Sequence, residues 1–400
     1  MSRPARPTRP ARPGRRGRPP VRRDGPTLVG QRYDVEVGPV AHGGHCVARL
    51  PADLPVVGGS VVFVRHALPG ERVTVEVTEG APGDRFLRGD AVDVQEPSPD
   101  RVVPPCPYAG PGRCGGCDFQ HVDLDAQRRL KADVVAEQLR RLAGLDREVV
   151  VEPVPGDDDG LGWRTRMRFA TTPDGRLGLR AARSRRVVPV DRCLIAADGA
   201  VTLVEGESAP QPVVEDVLGQ RFTVARDGFW QAHRGAPATL VEAVLEAARP
   251  EPGDVVLELY SGVGLFTAFL ADAVGAGGRV VAVEGSRTAV EHARANLADR
   301  PWAEVHAGSV DGLLERTPVA RADVVVLDPP REGARRAVLE GVIARGPRTV
   351  VLVACDPASF ARDTALLAGA GYRLDGLRAF DLFPMTQHVE VVGRFVPPRD

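Results

Sequence analysis

Val255-Val256-Leu257-Glu258-Leu259-Tyr260-Ser261-Gly262-Val263-Gly264-Leu265-Phe266 is the stretch that decides the fold. An apolar run of this length, bounded by turn residues, reads as a buried strand. Gly262 and Gly264 then form a turn where the missing side chains let backbone approach a ligand. An apolar helix over 265–272 follows. The same alternation repeats downstream. Strands are expected over 254–259, 279–284, 322–327 and 349–354, with helices over 265–272, 287–297, 331–343 and 359–368. Segments 372–381 and 389–395 close as a hairpin. Strand-helix alternation predicts an α/β domain, a doubly wound and mostly parallel sheet with ligands at the carboxyl ends of its strands.

Upstream the pattern changes. Residues 28–96 carry short alternating runs such as Arg32-Tyr33-Asp34-Val35-Glu36-Val37, punctuated by Gly and Pro, and read as a small β-barrel. Residues 98–118 are rich in Pro and Cys. A helix is expected from Asp123 to about Ala143. Arg164-Thr165-Arg166-Met167-Arg168-Phe169 is a strand whose arginines face either an RNA path or plain solvent. Four segments result: an Arg/Pro-rich tail (1–26), a barrel (27–97), a central cysteine-bearing domain (98–218) and the α/β domain (219–400).

The 400 residues are 43% apolar and carry a net charge of −1, unevenly spread. Residues 1–25 hold nine arginines against Asp24, a charge of +8, so the remainder carries −9. The tail lacks apolar periodicity, is expected to be disordered, and could grip phosphates. No apolar run reaches membrane-spanning length and no secretory leader is visible, so a cytoplasmic, monomeric protein without membrane contact is expected. Lys131 is the one lysine beside 51 arginines, a bias read as genomic composition.

Several residues point to chemistry. Val280-Val281-Ala282-Val283-Glu284 ends a second strand with an acid that can accept from ribose hydroxyls, which with the glycine turn indicates a nucleoside cofactor. Asp328-Pro329-Pro330-Arg331 displays an acid at a strand end. Cys106, Cys114 and Cys117 cluster, with Cys193 beyond. In a reducing compartment such thiols suit zinc or an iron–sulfur cluster, and Gly115-Gly116 would let amides reach sulfur. Cys46 stands outside this set as a small apolar residue. Cys355 ends an apolar strand before Asp356-Pro357, where a helix N-terminus would favour thiolate, although Asp356 opposes it. Glu390 shares a strand face with His388 at period two. A thiol nucleophile and a separate carboxylate base are what carbon methylation of a pyrimidine needs.

These motifs, in this order, resemble the SAM-dependent RNA uracil-C5 methyltransferases across roughly residues 28–396. The match rests on Cys106/Cys114/Cys117/Cys193, Phe229-Trp230-Gln231, Tyr260-Ser261-Gly262-Val263-Gly264, Asp328-Pro329-Pro330-Arg331, Cys355-Asp356-Pro357 and Phe383-Pro384 with His388-Val389-Glu390. The barrel resembles a TRAM domain through Gly43-Gly44 and Ala67-Leu68-Pro69-Gly70-Glu71. The resemblance implies a class I (Rossmann-like) SAM domain and a [4Fe-4S] cluster on the four cysteines, with zinc as the alternative. It implies S-adenosyl-L-methionine (SAM) contacts at Gln231, Tyr260, Gly262, Gly264, Glu284 and Asp328. It makes Cys355 the nucleophile and Glu390 the base, acting on a uridine of RNA, with ribosomal RNA favoured over transfer RNA. Asp356 and His233 stand where that family usually has Asn, and the seven-residue gap after Cys106 is long for it. An RNA cytosine-C5 methyltransferase and a non-catalytic iron–sulfur RNA-binding factor are the competing readings.

Overall fold

The computed structural model describes residues 27–206, 211–314 and 319–398, so the expected tail over 1–26 lies outside the described residues. Strands β1 (Arg32–Ala41), β2 (His45–Arg49), β3 (Val61–Arg65), β4 (Arg72–Glu79) and β5 (Leu87–Glu96) close a barrel in the order β1-β2-β3-β5-β4. Alternate valines fill it: Val35, Val37, Val62, Val64, Val73, Val75 and Val77 are all buried. A tight His42-Gly43-Gly44 turn joins β1 to β2, and both glycines have positive φ.

Helix α1 (Leu124–Gln138) starts at Asp123, whose side chain accepts from the amides of Asp125 and Ala126. It runs into a π-helical turn over Leu139–Ala143, and Gly144 ends it in the left-handed region. Strand β6 (Val151–Glu152) follows. A second sheet holds β7 (Arg164–Thr171), β8 (Leu177–Arg180), β9 (Val187–Pro189) and β10 (Ala196–Val204), ordered β10-β7-β8-β9. Next come the hairpin β11 (Val213–Val217) and β12 (Gln220–Val224), then α2 (Ala236–Ala248).

The remaining chain builds β13 (Val255–Leu259), α3 (Leu265–Val274), β14 (Arg279–Glu284), α4 (Arg287–Asn296), β15 (Ala303–Ala307) and α5 (Val310–Leu314). It continues through β16 (Val324–Leu327), α6 (Arg336–Ile343), β17 (Thr349–Ala354), α7 (Pro357–Gly369), β18 (Arg373–Phe380) and β19 (Glu390–Val396). Eight strands pair in the order β15-β14-β13-β16-β17-β19-β18-β6, with β13 to β17 parallel and β19 antiparallel to both neighbours. Val256, Val280, Val324 and Val351 pack on one face and Leu257, Val281, Val325 and Val350 on the other. Burial on both faces is why these strands read as unbroken apolar runs.

The expected α/β fold with an N-terminal barrel is present. Three details differ. The helix expected from residue 331 begins at Arg336, because Gly333, with positive φ, donates to the Pro330 carbonyl and closes a turn first. Strand β15 and helix α2 were not expected. Strand β6, from the central region, adds itself to the edge of the large sheet beside β18.

Candidate active site

At the turn after β13, Gly262 has φ +57° and Gly264 φ +87°, the left-handed region that glycine tolerates. Gly262 N–H donates to Glu284 Oε2 at 3.0 Å, and Ser286 N–H donates to Glu284 Oε1 at 2.7 Å. The carboxylate at the end of β14 is thereby fixed across the turn, and each oxygen keeps a lone pair for a ligand hydroxyl. Ser261 Oγ is buried beside it without a hydrogen-bond partner. Tyr260 adopts φ +66°, an uncommon conformation for a residue with a side chain. Burial pushes its hydroxyl up to about 12. Gln231 is buried next to Trp230, which belongs to the same core cluster as Val263 and Leu265. An unpartnered buried hydroxyl, an oriented carboxylate and an open glycine backbone fit an adenosyl ligand.

Asp328, at the end of β16, joins this group to a second one. Burial lifts its carboxyl to about 7. Its charge acts on Glu258 in β13 and on Glu390 at the start of β19. Glu390 is 4% exposed. Burial, then the charge of Asp328, raises it well above the usual carboxylate range, against the pull of Arg331. Strand β19 is interior, so Glu390 is no edge-strand charge. It begins the strand, with His388 in the preceding loop, and the two do not share a strand face as expected.

Ala354 of β17 pairs with Val391 of β19, so the next step along the ladder sets Cys355 opposite Glu390. Cys355 does not itself stand at the helix N-terminus that was expected to favour its thiolate. Asp356 takes that position, and its Oδ1 accepts from Ser359 N–H at 2.8 Å. Burial, then Glu390, pushes the Cys355 thiol up to about 12, with Arg331 opposing. His388 sits beside Arg331, 3.4 Å from Nη2, and burial followed by Arg331 lowers it to about 4.

His233 does not face this group. Its ring stacks on Trp163 at 5.6 Å, Nδ1 accepts from Gly235 N–H, and it is 1% exposed. Sequence reasoning also missed Glu258, fully buried with Thr267 Oγ1 donating to it at 2.5 Å. Burial lifts Glu258 to about 8. The signal was an acid inside an apolar strand.

Cys106, Cys114, Cys117 and Cys193 line one cavity of about 190 Å³ with Arg164 and Arg168. Gly116 N–H points to Cys114 Sγ at 3.4 Å and Gln120 Nε2 to Cys117 Sγ at 3.5 Å. Gly115 serves differently, donating to the Arg180 carbonyl in a space where a Cβ would strike Ala182. Among the described residues no three His, Cys, Asp or Glu side chains form a group that could hold a metal ion. The thiols share a cavity, but the lack of such a group lends support neither to the expected [4Fe-4S] cluster nor to the zinc alternative. Of the alternating arginines, Arg166 turns to Glu215 at 3.3 Å while Arg164 and Arg168 face the cavity. Cys46 is buried against the Ala67 carbonyl, as a small apolar residue would be. Among the described residues no helix is long and apolar enough to cross a membrane.

Comparison with known proteins agrees with this architecture. The TRAM domain family matches residues 26–92, and the protein-L-isoaspartate(D-aspartate) O-methyltransferase family matches residues 231–329. An uncharacterized RNA methyltransferase of Streptomyces coelicolor is 45% identical over 93% of this chain and 94% of its own. The 23S rRNA (uracil(1939)-C(5))-methyltransferase RlmD of a Shewanella strain is 29% identical over 88% of this chain and 94% of its own. The tRNA (uracil-54, C5)-methyltransferase of Pyrococcus abyssi, solved with S-adenosyl-L-homocysteine, shares the fold with a TM-score of 0.68 at 22% identity, over 90% of this chain and 99% of that one. A TRAM barrel thus precedes a SAM-dependent methyltransferase domain, and the chain belongs to the RNA methyltransferase family.

Proposed function

We propose that the protein methylates C5 of a uridine in RNA, with Cys355 as nucleophile and Glu390 as base. The observation that carries this is the ladder ending at Ala354 and Val391, whose next residues are Cys355 and Glu390, together with the charge of Glu390 acting on the Cys355 thiol. Gln231, Tyr260, Gly262, Gly264, Glu284 and Asp328 would hold SAM, which supplies the methyl group. C5 of uracil is a poor nucleophile. Cys355 loses its proton to solvent and adds as thiolate to C6, which gives C5 enolate carbanion character. After methylation Glu390 takes the C5 proton, and loss of the thiolate from C6 restores the aromatic base. The high proton affinity of Glu390 suits removal of a proton from carbon. The target base must leave its stack to reach such a site.

We further propose that Cys106, Cys114, Cys117 and Cys193, which line one cavity, would hold a [4Fe-4S] cluster. The reading is supported by the shared cavity and by the N–H groups aimed at the sulfurs of Cys114 and Cys117. The cluster would tie residues 106–117 to Cys193. We divide the chain functionally at residues 27, 98 and 219 into tail, TRAM barrel, cluster domain and methyltransferase domain. Ribosomal RNA is favoured over transfer RNA because the RlmD relative is named for 23S rRNA. The test is digestion of in vitro transcribed ribosomal and transfer RNA after incubation with methyl-labelled SAM. Label in 5-methyluridine is expected with the wild type and none with Cys355→Ala. Label in 5-methylcytidine, or undiminished product from Cys355→Ala, overturns the proposal.

A further inference from the structure

The barrel touches the catalytic loops through one turn. His42 Nε2 donates to Asp356 Oδ2 at 2.8 Å, across 314 residues of sequence. The other oxygen of Asp356 caps α7, and Asp356 directly follows Cys355. Two residues along the same turn, Gly44 lies so close to Gln387 that an added Cβ would stand 2.3 Å from the Gln387 Cβ. Gln387 is three residues before Glu390. One turn of the barrel therefore braces both segments that carry the reacting pair.

We propose that His42 is a positioning residue for Cys355, and that its ion pair with Asp356 balances the charge beside the thiol. This rests on Cys355 being the nucleophile. It also accounts for an aspartate in a position where a neutral side chain would cap α7 equally well. An unpaired carboxylate next to Cys355 disfavours thiolate, and the charge of Asp356 does raise that thiol. A protonated His42 offsets it. The pair is 38% and 23% exposed at its two side chains, so it is open to titration. The groups facing His42 are Asp356 and Arg362 of the α7 region and Glu137 of α1, with His45 in its own turn. The hydrogen bond to Asp356 outweighs burial and Arg362 and raises the His42 ring above its ordinary range.

The test is alkylation of Cys355 by iodoacetamide in the full-length protein, followed by peptide mass spectrometry from pH 6 to 9. His42→Ala should slow Cys355 alkylation about threefold to tenfold near pH 7, the scale of one neighbouring charge on a thiol. Adding Asp356→Asn to His42→Ala should restore the wild-type rate within about twofold, because asparagine keeps the cap and removes the charge. His42→Gln, which keeps a donor but cannot charge, should match His42→Ala near pH 7. The deficits should fade as pH rises through the His42 titration, since wild-type His42 is then neutral too. Equal rates in all variants, a pH-independent deficit, or a double variant as slow as His42→Ala would each overturn the proposal. No RNA enters this assay, so a product other than 5-methyluridine refutes the uridine reading separately.

Discussion

Lys131, the one lysine of the chain, holds the segment that ends in Glu390. It lies on α1, 1% exposed, and Nζ donates to Asp381 Oδ1 at 2.5 Å and to the Phe383 carbonyl at 3.0 Å. Asp381 is fully buried. Its second oxygen faces Arg128 Nε at 3.7 Å and makes no hydrogen bond. Burial pulls the Lys131 ammonium down, and Asp381 opposes it. Lys131→Met keeps most of the volume but strands a carboxylate in a dry site. Such a loss costs about 3–5 kcal/mol, whereas removing both charges is close to neutral. Lys131→Met should therefore lower unfolding free energy by roughly 3–5 kcal/mol, and Lys131→Met with Asp381→Asn should return to within about 2 kcal/mol of wild type. Urea unfolding read by tryptophan emission measures this, since Trp163 packs 6.2 Å from Phe383. Because the chain has one lysine, acylation of its amine reads opening of the same pair directly, slow in the wild type and faster in Asp381→Asn. A Lys131→Met cost under about 1 kcal/mol, or a double variant as unstable as the sum of the singles, refutes the reasoning.

Three further expectations follow from the site. Glu390→Gln should retain Cys355 addition but not proton removal, so a covalent protein–RNA adduct should accumulate on denaturing gels while turnover falls at least 100-fold, the scale of general-base catalysis. Glu258, at about 8 in the fold against 4.5 unfolded, holds a proton in the native state that the unfolded chain has released. Stability should therefore fall as pH rises from about 4.5 to 8, and Glu258→Gln should remove on the order of 3–5 kcal/mol of that fall in urea titrations at pH 5 and pH 8. Cys193→Ser, purified anaerobically, should lose the broad visible absorbance and the iron content expected of the wild type. Wild-type protein without iron would remove the cluster.

The strands of the large sheet were legible because both their faces are buried. Arg279–Glu284 and Thr349–Ala354 are apolar almost throughout, and their expected limits match the structure. Strand β15 was not legible, because Glu304 and His306 interrupt an edge strand. The start of α6 was misplaced because Asp328-Pro329-Pro330 looks like a helix start, while Gly333 closes a turn there. Cys355 and Glu390 could be proposed from motifs, but the burial and neighbouring charges that shift both groups could not be read there. The helix-end argument for a thiolate failed because Asp356 intercepts the Ser359 amide. Lys131 read as a compositional remnant, and its partner lies 250 residues away. No local pattern announces so distant a pairing.

Distance in sequence is also what builds the chemistry. Glu258 lies within β13, Glu284 and Glu390 at ends of β14 and β19, and Asp328 just after β16, yet Asp328 acts on both Glu258 and Glu390. Each ionisation makes the next one harder, and burial adds to this. The cation set against these acids at Cys355 is Arg331. A resting site of this kind disfavours the thiolate of Cys355. A free thiolate in an RNA-binding protein would be open to oxidation and to stray alkylation. Under the proposed assignment, nucleophile strength would depend on whatever brings positive charge or orders the loops, as a cationic methyl donor held at Asp328 and the barrel turn at His42 would. Burial of the acids is then the feature that makes reactivity conditional on a complete complex.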